Sequence, residues 1–310
     1  MNTTTYIIRN YRPTDFDDYV KLNAEVEKLE PTGRVVSSDI LSESLGRPDY
    51  APEKDMFIAE TAGNIVGFIN ITPELGIRRV IVDCLVHPEH RRKGLATKLL
   101  GHATRRAREL KVKIIHVSIK QDNEAARKVL PRLGFRVVHR FFELKLPLAE
   151  SQLPETKRRA FTCRHLHPRE EDKLARIQNR CFKNTWGYNP DTIEGIAYSL
   201  QISHGSPEDV ILICEADSPV GYCWTKVNHE AESADDKRKG RILMLGVDPD
   251  YRGKGIGKIA LLVGLTYLKD KEVRTVELTV DSQNKTARAL YDSLSFQKWA
   301  TSLWYEKALD

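Results

Sequence analysis

No stretch of eighteen apolar residues occurs in this 310-residue chain, so no segment reads as a membrane-spanning helix. The opening Met1-Asn2-Thr3-Thr4-Thr5-Tyr6 lacks the charged-then-apolar build of a secretory leader, and a cytoplasmic location is expected. Cysteine is scarce. The five present (Cys84, Cys163, Cys181, Cys214, Cys223) are odd in number and form no Cys-x-x-Cys, which argues against a disulfide frame or a zinc site and fits reduced thiols. The nine histidines show no metal-ligand spacing, so no metal is expected; His165 and His167 read as a solvated strand end. No nucleic-acid motif appears either, although the net charge is +6. Basic residues gather at Arg91-Arg92-Lys93, at Arg105, Arg106, Arg108, Lys111 and Lys113, and at Lys157-Arg158-Arg159. The last two groups read as a solvated helix face and an exposed linker, because acidic residues are interspersed. What is present suffices for ordinary cores: 41% of residues are apolar, and the length suits two domains of about 150 residues.

The chain repeats itself. Val86-His87-Pro88-Glu89-His90-Arg91-Arg92-Lys93-Gly94-Leu95-Ala96 matches Val247-Asp248-Pro249-Asp250-Tyr251-Arg252-Gly253-Lys254-Gly255-Ile256-Gly257 at an offset of 161. Asn123-x-x-Ala126-Arg127 matches Asn284-x-x-Ala287-Arg288, and Phe135 matches Phe296, at the same offset. Upstream, Val66-Gly67 matches Val220-Gly221 at 154, and Arg9 and Pro13 match Arg164 and Pro168 at 155. The second copy therefore carries about six extra residues, which the polar stretch Asn228 to Gly240 would hold.

Each copy predicts the order β-α-β-β-β-α-β-α-β, a mixed α/β sheet with helices on both faces. The first helices are expected near Asp15–Leu29 and Glu170–Phe182, with acidic first turns. Paired strands are expected at Met56–Glu60 and Ile65–Ile71, and at Val210–Glu215 and Val220–Val227. Strands Val80–Val86 and Ile242–Val247 lead into a glycine-bearing loop and a long helix. Further strands fall at Ile114–Ile119 and Val276–Val280, and final strands at Arg136–Lys145 and Trp299–Glu306. The polar segment Pro147–Arg159 reads as a linker, giving domains of 1–150 and 151–310.

The loop carries the chemistry. A helix N-terminus offers unpaired N–H groups and partial positive charge, and glycines let the backbone approach an anion. Arg252, Lys254 and Lys258 surround the loop in the second copy; Arg91, Arg92, Lys93 and Lys98 do so in the first. No Lys-Ser/Thr ending follows, which excludes a nucleoside-triphosphate loop, and the glycine spacing excludes a dinucleotide fingerprint. One such loop is equally well a glycine-bearing helix cap; two, each followed by Asn-x-x-Ala-Arg, point to a phosphate-bearing ligand.

The unit strand–Val-x-Pro–Arg-x-x-Gly-x-Gly/Ala–helix, with Asn-x-x-Ala after the next strand, resembles the GNAT superfamily of acyl-coenzyme A N-acyltransferases in both halves. The resemblance implies that acetyl-coenzyme A is the cofactor. It implies that the loops Arg252, Gly253, Lys254, Gly255, Ile256, Gly257, Lys258 and Arg91, Arg92, Lys93, Gly94, Leu95, Ala96, Thr97 hold the pyrophosphate. Leu245, Gly246, Val247 and Cys84, Leu85, Val86 would pair with the pantetheine arm, and Asn284, Ala287, Arg288 and Asn123 would lie beside it. It assigns Tyr291 as the general acid facing the coenzyme sulfur. Because phenol titrates near ~10 and a thiol near ~8.5, full proton transfer is uphill by roughly 2 kcal/mol, so hydrogen-bond donation is the expected role. Leu130 stands at the aligned place in the first copy, followed by Pro131, which should end that helix. The first copy is expected to bind coenzyme but to be degenerate in catalysis.

The second half further resembles the mycothiol synthases, tandem GNAT proteins, through Gly221-Tyr222-Cys223-Trp224-Thr225-Lys226-Val227, Gly246-Val247-Asp248-Pro249 and Asn184-Thr185-Trp186-Gly187-Tyr188-Asn189-Pro190. This implies a small-molecule primary amine as acceptor, with Lys226 and Trp224 near it. One position departs: that family has a catalytic glutamate where this chain has Arg241, which is no base at neutral pH but can pair with an anionic acceptor. Other candidate bases by position are Glu215, Glu277, Asp281, Glu230 and Glu232, and each reads equally as a surface charge. Two alternatives stay open: acylation of a protein or peptide amine, and a non-catalytic acyl-coenzyme A sensor. Neither the oligomeric state nor the acyl-chain preference is legible.

Overall fold

A computed structural model of the chain describes residues 5–31, 37–155, 161–228 and 239–309. Its elements are β1 (Ile7–Asn10), α1 (Phe16–Leu29), α2 (Ser38–Leu45), α3 (Pro52–Asp55), β2 (Met56–Thr61), β3 (Asn64–Glu74), β4 (Arg79–Val86), α4 (Leu95–Glu109), β5 (Ile114–Lys120), α5 (Glu124–Val129) and β6 (Arg136–Pro147). The second copy supplies β7 (Thr162–His165), α6 (Glu171–Phe182), α7 (Ile193–Gln201), β8 (Val210–Glu215), β9 (Ser218–Val227), β10 (Lys239–Val247), α8 (Ile256–Asp270), β11 (Thr275–Asp281), α9 (Lys285–Asp292) and β12 (Gln297–Ala308). The expected strands and helices are all present. Three helices were not anticipated: α2, the single turn α3, and α7. A hydroxyl cap starts α2 and α7: Ser37 accepts from the Ile40 amide at 3.3 Å and Thr192 from the Gly195 amide at 3.0 Å. The Lys157-Arg158-Arg159 cluster, Glu230, Glu232 and most of the extra stretch after Asn228 lie outside the described residues.

The chain divides into two compact units, residues 1–139 with 303–310, and residues 140–302. The repeat and the compact unit are therefore different objects. Most of β6, written into the first copy, belongs to the second unit, and the end of β12 belongs to the first. Within the first unit the strand order is β1-β2-β3-β4-β5-β12; within the second it is β6-β11-β10-β9-β8-β7. β6 is antiparallel to β11 over seven pairs, from Thr275↔Pro147 to Asp281↔Phe141. Leu144, Leu146 and Leu148 are buried in the core of the second unit, and the Leu148 amide donates to the Arg274 carbonyl at 2.7 Å. The segment after Pro147 thus starts as core.

Both units are mixed sheets covered on both faces, and the strand alternation shows why. In β8, Ile211 and Ile213 pack with α8, whereas Val210, Leu212 and Cys214 pack with α6 and α7. In β2, Phe57 and Ala59 pack with α4, whereas Met56 and Ile58 pack with α1 and α2. The start of each copy is fixed by one arginine. Arg9 holds Asp15 at 2.7 and 2.9 Å, and Arg164 holds Glu170 at 2.6 and 3.1 Å. Those carboxylates cap the chain by accepting the Arg12 and His167 amides. The repeated arginine is structural.

Candidate functional site

In the second unit, β10 runs parallel to β11 for four pairs, ending at Ile242↔Leu278. Beyond that, residues 244–247 of β10 stay paired only with β9 on their other side, leaving backbone groups aimed into a widening gap. A β-bulge falls between Ile242 and Met244. It reverses the strand's phase: Ile242 packs toward α8, Met244 toward α6, and Leu245 and Val247 toward α8 again. The first unit has the same short parallel ladder, Arg79↔Ile114 to Ile81↔His116, but its β3–β4 pairing is unbroken over eight pairs. Comparing ladders, Arg79 corresponds to Lys239, an offset of 160, while Ile114 corresponds to Thr275, an offset of 161. One of the second copy's extra residues is therefore the bulge.

The loop leaves β10 through Asp248, which caps the turn Pro249–Tyr251 and accepts from the Asp250 amide at 3.0 Å. Arg180 of α6 clamps Asp248 at 2.6 and 2.9 Å, and this guanidinium holds its carboxyl below the usual range. Gly253 and Gly255 have φ of +78° and +81°, a left-handed conformation that suits glycine. Gly255 is the cap residue of α8 and brings no side chain to its first amides, so the helix start presents N–H groups outward, a geometry that attracts anions. Lys254 and Lys258 are exposed beside it. Arg252 is committed elsewhere: it donates to the Cys181 carbonyl at 2.8 Å and to Val247 at 3.4 Å, tying the loop to α6. Arg91 likewise holds the Val86 carbonyl and pairs with Glu30 at 2.7 and 2.8 Å. Both arginines are braces of the loop.

Asn284 caps α9, accepting from the Ala287 amide at 3.0 Å, and Asn123 does the same for Ala126 at 3.0 Å. The Asn-x-x-Ala motif is thus a helix cap in the first place. Arg288 reaches the Ser282 carbonyl at 3.0 Å and lies 5.1 Å from the Phe142 ring centroid. Tyr291 is buried on the α8 side against Phe296, ring centroids 5.6 Å apart, and burial pushes its phenol up from the ordinary range. Among the described residues its hydroxyl has no hydrogen-bond partner. A phenol kept protonated at this depth is suited to donating.

The opposite, α6 face is polar. Lys226, Arg241, Glu277 and Lys145 stand in register across β9, β10, β11 and β6. Arg241 is exposed and donates to Thr279 Oγ1 at 3.3 Å, spanning the start of the gap. Glu277 points away from buried Val276 and Leu278, as its alternation predicts. Trp224 is 6% exposed and packs with α6 and α7, so it is core and forms no open wall. Trp186 does stand at this face, 6.0 Å from Phe141. Its loop is fixed by a network: Tyr222 donates to Gln178 at 2.8 Å, and Gln178 to Asp191 at 2.6 Å. Glu215, a candidate base, instead accepts from Tyr251 at 2.5 Å near the exposed end of β8. Asp281 accepts from the Gln283 amide at 2.7 Å and shapes the turn after β11. Sequence reasoning did not bring Glu143 of β6 to this face, opposite Thr279, because nothing local marks that strand as belonging to the second unit.

The corresponding face of the first unit is filled. His116 lies 3.2 Å from both Arg79 and Glu306, and Trp304 packs 5.9 Å from the His116 ring. Burial lowers the His116 pKa. α5 ends at Val129, and Pro131 opens a separate turn, as expected; Leu130 packs into the core. Sequence spacing missed one further cluster. His87, Glu89 and His90 each bring a ligand atom within 4.8 Å of the others. His87 Nδ1 accepts from the Glu89 amide at 3.3 Å and His90 Nδ1 lies 3.0 Å from the Tyr6 hydroxyl, so the cluster serves its own turn.

A splayed parallel strand followed by a glycine-started helix thus recurs in both units. The acetyltransferase (GNAT) family model matches residues 24–135 and 172–296, and the chain belongs to that family. A mycothiol acetyltransferase of Stackebrandtia nassauensis is 29% identical over 275 residues, 87% of this chain and 88% of the relative. A GCN5-related N-acetyltransferase from Sphaerobacter thermophilus has the same fold, with a TM-score of 0.74, 21% identity, and coverage of 99% and 97%. So does a tandem GNAT protein from the clavulanic acid biosynthesis pathway, with a TM-score of 0.72, 16% identity, and coverage of 99% and 98%. The chain is thus an N-acetyltransferase by family. Among the described residues no helix is long and apolar enough to cross a membrane.

Proposed function

We propose that the chain transfers an acetyl group from acetyl-coenzyme A to the primary amine of a small molecule, and that the second copy does so. The carrying observation is the placement of Tyr291: buried, protonated, without a hydrogen-bond partner among the described residues, and on the face from which α8 starts. In this reading the amides of residues 253–257 hold the pyrophosphate with Lys254 and Lys258, and the open edge of residues 244–247 pairs with the pantetheine arm. The thioester sits in the gap between β10 and β11. The amine's lone pair attacks the thioester carbon, the C–S bond breaks, and the electron pair leaves on sulfur, which Tyr291 stabilises by donating a hydrogen bond. The nitrogen gives up one proton to a base and a second goes to the thiolate, leaving an amide and free coenzyme A.

The small-molecule reading is supported by relatives named mycothiol acetyltransferase and by the polar α6 face next to Trp186. The row of Lys226, Arg241 and Lys145 sets three cations against Glu277 alone, which favours an acceptor bearing a carboxylate or phosphate. The first copy, with Leu130 in place of the phenol and its face filled by Trp304, is a coenzyme site without chemistry. Tyr291→Phe should lower kcat at least ten-fold while the coenzyme A dissociation constant changes less than three-fold. Thiol release from acetyl-coenzyme A with glucosamine, glucosamine 6-phosphate, L-cysteine and putrescine measures the first, and titration calorimetry the second. Unchanged turnover in Tyr291→Phe would remove the phenol from the mechanism.

A further inference from the structure

We infer that Glu143, carried on the strand the first copy lends to the second unit, is the general base that deprotonates the acceptor amine; this rests on the transferase reading above. Glu143 lies on β6, opposite Thr279 of β11. Its neighbours Leu144 and Leu146 are buried toward α8, so its carboxylate belongs to the α6 face, as do the Thr279 hydroxyl and the Arg241 guanidinium. Tyr291 is on the other side of the sheet. The gap between β10 and β11 thus has a hydrogen-bond donor on one face and a carboxylate on the other. A thioester bridging it can be attacked from the α6 face while sulfur departs toward α8.

Position and burial separate Glu143 from the other carboxylates. Strands are spaced about 4.8 Å apart, so Glu143 is one strand beyond the edge of the gap, within reach of an amine lying over Thr279. Its residue is 8% exposed, and Ser302 Oγ donates to Oε1 at 2.6 Å, fixing the group. In such a dry setting an arriving ammonium is attracted far more strongly than at the surface. Glu277 is only half-buried and stands in register between Arg241 and Lys145, two cations that repel an arriving ammonium. Glu215 and Asp281 are committed to Tyr251 and to a turn amide. The proton on the incoming R–NH3+ passes to the Glu143 carboxylate, and the freed lone pair forms the C–N bond. As the C–S bond breaks, the second nitrogen proton is transferred to sulfur. Glu143 then releases its proton to solvent. This also accounts for an arginine at position 241: the base has moved two strands along the sheet, and Arg241 is left to orient an anion.

The test is kinetic. With the best acceptor among glucosamine, glucosamine 6-phosphate, L-cysteine and putrescine, kcat and KM are measured from pH 6 to 10 for the wild type and Glu143→Gln. Thermal unfolding and coenzyme A affinity serve as controls of the fold. Glu143→Gln should lose about 10²-fold or more in kcat at pH 7. It should then recover about ten-fold per pH unit up to the titration of the free amine, because only unprotonated amine reacts. Ser302→Ala, a positioning change, should shift the rising limb of the profile at nearly constant KM. A folded Glu143→Gln with kcat within three-fold of wild type, or with a defect confined to KM, overturns the assignment. If Glu143→Gln does not fold, the profile of Glu143→Asp decides, an unmoved limb overturning it. Wild-type protein that releases thiol with none of the amines overturns the transferase reading itself, a result distinct from the other two.

Discussion

Single positions show how the two copies diverged under the same backbone. The loop position held by Gly253 at φ +78° is held by Arg92 at φ +60° in the first copy. The turn position held by Gly134 at φ +86° is held by Ser295 at φ +65° in the second. A left-handed non-glycine residue costs on the order of 1–2 kcal/mol, less the extra freedom glycine has when unfolded. Ser295→Gly should therefore raise stability by about 0.5–1 kcal/mol in urea unfolding. Glu170 gives a pH-dependent case. The Arg164 guanidinium, opposed by burial and aided by Lys173, holds its carboxyl down to about 2. A depressed carboxylate contributes stability above its unfolded value and loses it as pH falls through the folded one. Glu170→Gln should cost about 1–2 kcal/mol at pH 7, and the difference should shrink between pH 4.5 and 2. Equal costs at both ends of that range would show that the pair acts by packing alone.

At the scale of elements, most of the molecule was legible in the sequence. The Val-x-Pro loop, the glycine-started helix and the Asn-x-x-Ala cap are short-range devices, readable because their physics lies within ten residues. Pro131 gave away the shortened α5 for the same reason. What stayed hidden was of two kinds. α2 and α7 are short helices whose caps, Ser37 and Thr192, look like any loop hydroxyl. The bulge at Ile242/Met244 leaves no local mark, because inserting one residue changes which face a side chain meets without changing its neighbours in sequence. Arg241 stands on the α6 face just before the bulge, and its ladder counterpart Ile81 stands on the equivalent face of an unbroken pairing. Deleting Leu243 should restore an unbroken ladder with every face kept, since Ile242 and Met244 then alternate, and should lower turnover by removing the bend beside the gap. Coenzyme affinity should persist, because Gly253 and Gly255 lie beyond the change. Loss of coenzyme binding in a folded deletion variant would tie the bulge to the cofactor instead.

The whole molecule cannot be cut where the repeat is. A fragment of 151–310 lacks β6, the seven-pair partner of β11, together with Leu144, Leu146 and Leu148. Each of those leucines is worth about 2–5 kcal/mol as a truncation to alanine, comparable to the whole stability of a domain. The fragment 151–310 should be recovered unfolded or aggregated, with random-coil circular dichroism, while 140–302 should fold cooperatively. A native-like melt of 151–310 would show that β6 is dispensable.

The exchange of final strands has a consequence for descent. A duplicated enzyme normally lets one copy decay or be lost, since each copy closes on its own. Here the first copy cannot be discarded, because its last strand completes the second unit. However far the remaining residues of the first copy drift, that strand has to be inherited with the second.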